Sequence, residues 1–127
     1  MKRSLWAVWL AFAPLAVDAA YESPWAIIEA SDPSEVRQEF RPSITLVDGH
    51  STRDPWRSDP LAPGKHSVRI RFETARVAQG PGDEVRDLDL DLQPCTRYRI
   101  AAQRTQGTQW QPKVYTEKIG ECARKFK

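Results

Sequence analysis

Three aspartates recur at every second position in the segment RDLDLDLQPC, as Asp87, Asp89 and Asp91. Carboxylates this closely spaced could gather a calcium ion or share a proton in acid–base chemistry. His50 and His66 each follow a glycine-containing turn, in DGH and PGKH, and are residue types that ligate copper or zinc. Cys95 and Cys122 could form a bridge, cycle between redox states or hold a metal. No G-x-S-x-G nucleophile motif and no glycine-rich phosphate loop accompanies them.

Spacing decides against chemistry at the aspartates. They alternate with Leu88, Leu90 and Leu92, the period-two pattern of a strand with one buried and one wet face. On such a strand, residues two apart have Cα atoms about 6.5–7 Å apart, so three carboxylates form a row and do not converge. Calcium needs six or more oxygens converging at about 2.3–2.6 Å. The row is therefore expected to be a solvated face, paired with arginines on a neighbouring strand. The histidines lack the spacing of a ligand set and are expected at the surface. The reading assigns no catalytic residue, no cofactor and no metal ligand.

The elements around these residues are strands. SVRIRFET (residues 67–74) alternates Val68, Ile70 and Phe72 against Arg69, Arg71 and Glu73. RYRIAA (97–102) sets Tyr98 and Ile100 against Arg97 and Arg99. WAII (25–28), ITLV (44–47) and residues 114–119 complete the set. Asp48-Gly49, Pro63-Gly64, GPGD (80–83) and Gly107 are turn signals between them. Ser34 to Phe40 is the one stretch expected to make a helical turn. The loop between 74 and 85 favours antiparallel pairing, which sets Arg69 and Arg71 beside the aspartates, with Arg97 and Arg99 as a second basic row if their strand takes the other flank. Short strands with frequent turns indicate an all-β fold, a small antiparallel β-sandwich.

The first residues, MKRSLWAVWLAFAPLAVDAA, carry Lys2 and Arg3, an apolar run from Leu5 to Val17, and Val17-Asp18-Ala19 at a cleavage position. This is the pattern of a signal peptide over residues 1–19, too short and too interrupted for a spanning helix. Residues 20–127 are then a single domain ending in a short basic tail, with no membrane span after cleavage, in the periplasm or secreted. Setting aside Lys2, Arg3 and Asp18 leaves 17 basic against 16 acidic side chains. So even a balance gives no clustered basic footprint for nucleic acid. In an exported chain two cysteines read as one disulfide. A hairpin turning around Gln106 to Gln109 brings Cys95 and Cys122 together at its open end, away from any C-x-x-C redox spacing.

One loop stands apart. DPWRSDP (54–60) places Trp56 and Arg57 between prolines, and Trp and Arg are enriched where proteins bind partners. The competing role for Trp56 is to fold back over the core, as Trp25 and Trp110 are expected to do.

The runs ITLVDGH and LAPGKHSVRIRFET, over Ile44 to Thr74, resemble the PEGA-type domain, a small Ig-like or transthyretin-like β-sandwich of bacterial extracytoplasmic proteins. PCTRYRIAAQR with its closing cysteine is similar to small envelope proteins of Gram-negative bacteria. The resemblance implies a fold and carries over no functional residue. Together with the loop it leads us to expect a non-enzymatic binding or assembly module of the cell envelope, its partner another envelope protein or a cell-wall component. The alternative is a small inhibitor of a secreted or periplasmic hydrolase.

Overall fold

The computed structural model describes residues 23–73, 83–106 and 109–127; the expected leader with its cleavage after Ala19, most of the 80–83 turn and Gly107 lie outside the described residues. Wherever apolar and charged residues alternate, strands form. Among the described residues they are β1 (Ala26–Ala30), β2 (Glu39–Phe40), β3 (Ser43–Val47), β4 (His50–Ser51), β5 (Gly64–Glu73), β6 (Asp83–Leu92), β7 (Thr96–Gln106) and β8 (Gln109–Lys118), followed by one helix, α1 (Gly120–Lys125). They build two four-stranded sheets, as an all-β sandwich requires. In one, β7 is central, with β1 and β2 along one side and β8 along the other; the second runs β4-β3-β5-β6.

The inward residues of both sheets meet in one apolar cluster. Ala26, Ile28, Tyr98, Ile100, Ala102 and Trp110 come from the first sheet, and Ile44, Val47, Val68, Ile70, Phe72 and Leu92 from the second. Phe72 stacks on Phe40 at 5.5 Å and meets Trp110 edge-on at 5.3 Å, so three aromatic rings from β2, β5 and β8 tie the layers together. In β3 the buried residues are Ile44 and Val47, three apart. A register shift leaves Thr45 unmatched between Ile44 and Leu46, and this bulge re-aims Val47 at the core.

Three local features differ from the sequence reading. Residues 35–38 form a turn rather than a helical one: Ser34 and Glu39 exchange backbone hydrogen bonds of 2.9 Å, and Gln38 adopts φ 57°, which stops any helix there. β1 pairs with β7 in parallel, from Ala26↔Thr96 to Ala30↔Ile100, whereas the other strand pairs are antiparallel. The basic end of the chain folds into α1. Its Phe126 packs edge-on against Trp25 at 6.0 Å, within a second apolar cluster of Trp25, Ile27, Cys95, Ile119 and Cys122. Arg124, Lys125 and Lys127 remain exposed.

Cys95 and Cys122 are joined, with Cα atoms 5.2 Å apart, and no free cysteine remains among the described residues. Cys95 itself sits at φ 54°, held there by its N–H donating to the Trp25 carbonyl at 2.7 Å and its carbonyl accepting from Ile119 at 2.8 Å. The bridge pins α1 over the start of β7 and over Trp25. Among the described residues no helix is long and apolar enough to cross a membrane.

A short β1 leaves one edge uncovered by strand, and the segment 56–61 closes it. Ala26 and Leu61 exchange N–H···O bonds of 2.8 Å, Ser58 donates to the Ile28 carbonyl at 2.8 Å, and Ala30 donates to the Trp56 carbonyl at 2.8 Å. Chain geometry leaves the Ile28 N–H without a carbonyl; the buried Ser58 Oγ accepts it at 3.0 Å and donates onward to the Asp59 carbonyl at 2.8 Å. Ser58→Ala removes that acceptor and strands a buried donor, so we expect a loss of about 1–3 kcal/mol in urea unfolding. Reducing the disulfide should cost about 3–4 kcal/mol, for a closed loop of this length, read as a lower urea midpoint. An unchanged midpoint after confirmed reduction would show that α1 docks without the bridge.

Candidate functional site

Aspartates 87, 89 and 91 lie where the sequence put them, exposed on the outer face of β6. In register they stand opposite Arg69, Ser67 and Lys65 respectively. Arg69 grips Asp87 through Nε at 2.8 Å and Nη2 at 3.2 Å and holds its carboxyl below the ordinary range. Arg71 falls directly opposite Val85, two positions along the strand from the Arg69–Asp87 pair. Among the described residues neither Asp89 nor Asp91 closes an ion pair, and no three His, Cys, Asp or Glu side chains gather as a metal centre needs. The row is a solvated face.

Arg97 and Arg99 do not extend this ladder, because β7 belongs to the other sheet. They project from its outer face and share the Glu29 carboxylate, at 3.4 and 3.3 Å from their buried Nε atoms, close enough for attraction though outside hydrogen-bond alignment. Glu117 pairs with both from β8, at 3.7 and 3.2 Å. Further along this face lies Glu39, a carboxylate the sequence reading passed over. Its side chain is fully buried, yet Arg37 Nε reaches it at 3.2 Å and the Tyr115 hydroxyl donates to it. Burial pushes this carboxyl up, but those two hydrogen bonds and the arginine charge outweigh it and hold Glu39 below the usual carboxylate range. The same bond, reinforced by burial, raises Tyr115 above an ordinary phenol.

The histidines part company. His50 is exposed. His66, expected at the surface, is only 14% exposed. Its Nδ1 faces Asp48 Oδ2 at 2.6 Å and its Nε2 faces the Ala62 carbonyl at 2.7 Å. Both ring nitrogens thus face an oxygen acceptor, which ties the ring to a turn on either side. Asp48 also accepts the Ser67 N–H at 2.9 Å while its own backbone, at φ 53°, starts the Asp48-Gly49 hairpin turn. Burial raises the Asp48 carboxyl, but the His66 and Ser67 hydrogen bonds and the nearby imidazoles bring it below its ordinary value. The D-G-H and P-G-K-H motifs thus meet as a brace between two turns.

What remains is the DPWRSDP loop. Asp54 Oδ1 accepts the Trp56 N–H at 2.8 Å, the side-chain turn that Asp favours, with Pro55 fixing φ inside it. The Pro55 carbonyl accepts from Ile44 of β3 at 2.7 Å, and the Trp56 carbonyl accepts from Ala30 of β1. Backbone bonds to both sheets therefore fix the loop, and its tryptophan points outward. Trp56 is 44% exposed and belongs to neither apolar cluster, so it does not cap the core. Arg41 lies over its ring at 5.2 Å while binding Asp32 at 2.5 Å. Arg57 turns to Glu29 at 3.6 Å. These groups border an open hollow of about 250 Å³. The structure thus brings Trp56 and Arg57 together with Arg41, Asp32 and Glu29, none of which the sequence singled out. Nothing local marks them; Arg41 and Trp56 meet only because the loop runs back along β1.

No family model, curated protein or solved structure matches this chain. The half-exposed Trp56 on its backbone-fixed loop is the candidate site.

Glu39 and Asp48, whose folded values lie below the unfolded ones, contribute stability that is present above the unfolded carboxylate range of about 4 and is lost as pH falls through the folded values. Thermal melting should accordingly drop steeply in acid. Glu39→Gln should flatten that acid limb and cost about 1.5–3 kcal/mol at neutral pH by losing charge-assisted bonds; an acid limb parallel to that of the wild type would refute the ionised state of Glu39.

Proposed function

We propose that this chain is a non-enzymatic binding or assembly module of the bacterial cell envelope, acting in the periplasm or outside the cell, and that it holds its partner at the Trp56 surface. The observation that carries this reading is the half-exposed indole on a loop fixed to both sheets. Leaving a large aromatic ring in water forgoes the free energy of its burial, and a ring held at a fixed position loses little further freedom when a partner covers it. The disulfide between Cys95 and Cys122 suits an oxidising compartment. Export itself rests on the leader-like residues 1–19, and the envelope setting on the resemblance over Ile44 to Thr74. The partner is another envelope protein or a cell-wall component.

Purified wild type, Trp56→Ala and Arg57→Ala proteins can be immobilised and exposed to envelope extract and to isolated cell-wall material. Trp56→Ala should weaken retention of the partner by about 30-fold or more, the loss of a binding hot spot worth about 2 kcal/mol. Arg57→Ala should have a smaller effect, because it is a rim charge engaged with Glu29. Melting temperatures close to the wild type would show that both variants fold. Identical retention by all three proteins removes this surface from the function.

A further inference from the structure

We infer that the Trp56 surface recognises an uncharged saccharide, with a sugar ring laying its C–H face on the indole while its hydroxyls meet the charged groups at the rim; this rests on the Trp56 surface being the binding site.

The charges around the indole select this chemistry. Asp32 is bound to Arg41 at 2.5 Å, Glu29 draws on Arg57 at 3.6 Å as well as on Arg97 and Arg99, and Asp54 is occupied by the Trp56 N–H. An anionic ligand would lie beside the Asp32, Glu29 and Asp54 carboxylates, and a cationic one beside the Arg41 and Arg57 guanidiniums, so either charge meets its own sign at the rim. A hydroxyl has no such conflict: it donates to a carboxylate and accepts from a guanidinium while both keep their partners.

Apolar partners fit less well. Besides the indole, the hollow is bordered by Glu29, Asp32, Arg41, Asp54, Arg57 and the small Ala30. A leucine or phenylalanine seated there would strip water from carboxylates and guanidiniums and give them nothing in return. A pyranose offers both halves of what the hollow requires, an apolar face for the ring and a belt of hydroxyls for its surroundings. The hollow is open, about 250 Å³, and the Trp56 ring that lines it carries Arg41 over one face and is anchored by the backbone bonds of the loop. A flat platform that is already ordered recovers the most from a weakly interacting, rigid ring.

The test uses the purified protein with neutral oligosaccharides (chitotriose, cellotriose and maltotriose) and an anionic one, oligogalacturonate. Binding is read from the Trp56 side-chain N–H resonance, assigned among the five tryptophans by its disappearance in Trp56→Phe. At least one neutral trisaccharide should shift that signal saturably and oligogalacturonate should not. Trp56→Ala should abolish binding, Trp56→Phe should keep part of it, and Arg41→Ala should weaken it at least tenfold. The inference is overturned if no neutral trisaccharide binds, if oligogalacturonate binds as tightly, or if Trp56→Ala leaves binding intact. Trisaccharide failure alongside Trp56-dependent capture of a protein would sink the saccharide and leave the binding module standing. Loss of every Trp56-dependent interaction would remove both.

Discussion

The free edge of β1 is the constraint on which the rest of this molecule depends. Backbone N–H and C=O groups that leave water must find partners, and a strand with one neighbour has a row of them to satisfy. Here the second neighbour is an irregular segment, 56–61, which supplies carbonyls and amides in strand-like register and, where it runs short, the Ser58 hydroxyl. Closing that edge fixes the segment against β1, while Pro55 fixes it against β3. The same closure turns Trp56 away from the core. Edge closure fixes where its Cα sits, at the rim between the two sheets, and from there the indole lies half in water.

Two outer faces treat charge differently. On β6 the aspartates at 87, 89 and 91 stand in an exposed row, and the first of them is gripped by the Arg69 guanidinium of β5. Across β1, β7 and β8 the charges interlock, with Glu29 serving three arginines and Glu117 two. Glu39 is the extreme case, a carboxylate wholly removed from water and retained by a tyrosine and an arginine. Such a group specifies position more than it adds stability, because its own desolvation consumes much of the attraction.

Legibility in the sequence followed the range of the interaction. Period-two alternation exposed β5, β6 and the first half of β7, and the register confirms antiparallel pairing of β5 with β6 and of β7 with β8 around the expected turn. The disulfide followed from the same hairpin. The polar ends of β7 and β8, Gln103 to Gln106 and Gln109 to Lys113, carry little alternation and were missed for that reason. The helix α1 is six residues long, below the length at which a periodic face shows. His66 read as an ordinary surface group and Glu39 was passed over, because their partners lie 18 and 76 positions away, at Asp48 and Tyr115. The site around Trp56 was half visible. Its aromatic and its turn are local, but Arg41, Asp32 and Glu29 arrive through the fold.

The parallel pairing of β1 with β7 has a kinetic side. Ala26 meets Thr96 across a sequence separation of 70 residues, and the sulfur that locks their junction lies further on, at Cys122. Contacts so distant along the chain are slow to form, since a large loop must close before they return any free energy. Before β7 exists, the first strand of the sheet has only the 56–61 segment to pair with. A sheet whose central pairing spans so much of the chain has a high contact order, the feature that slows folding of β proteins.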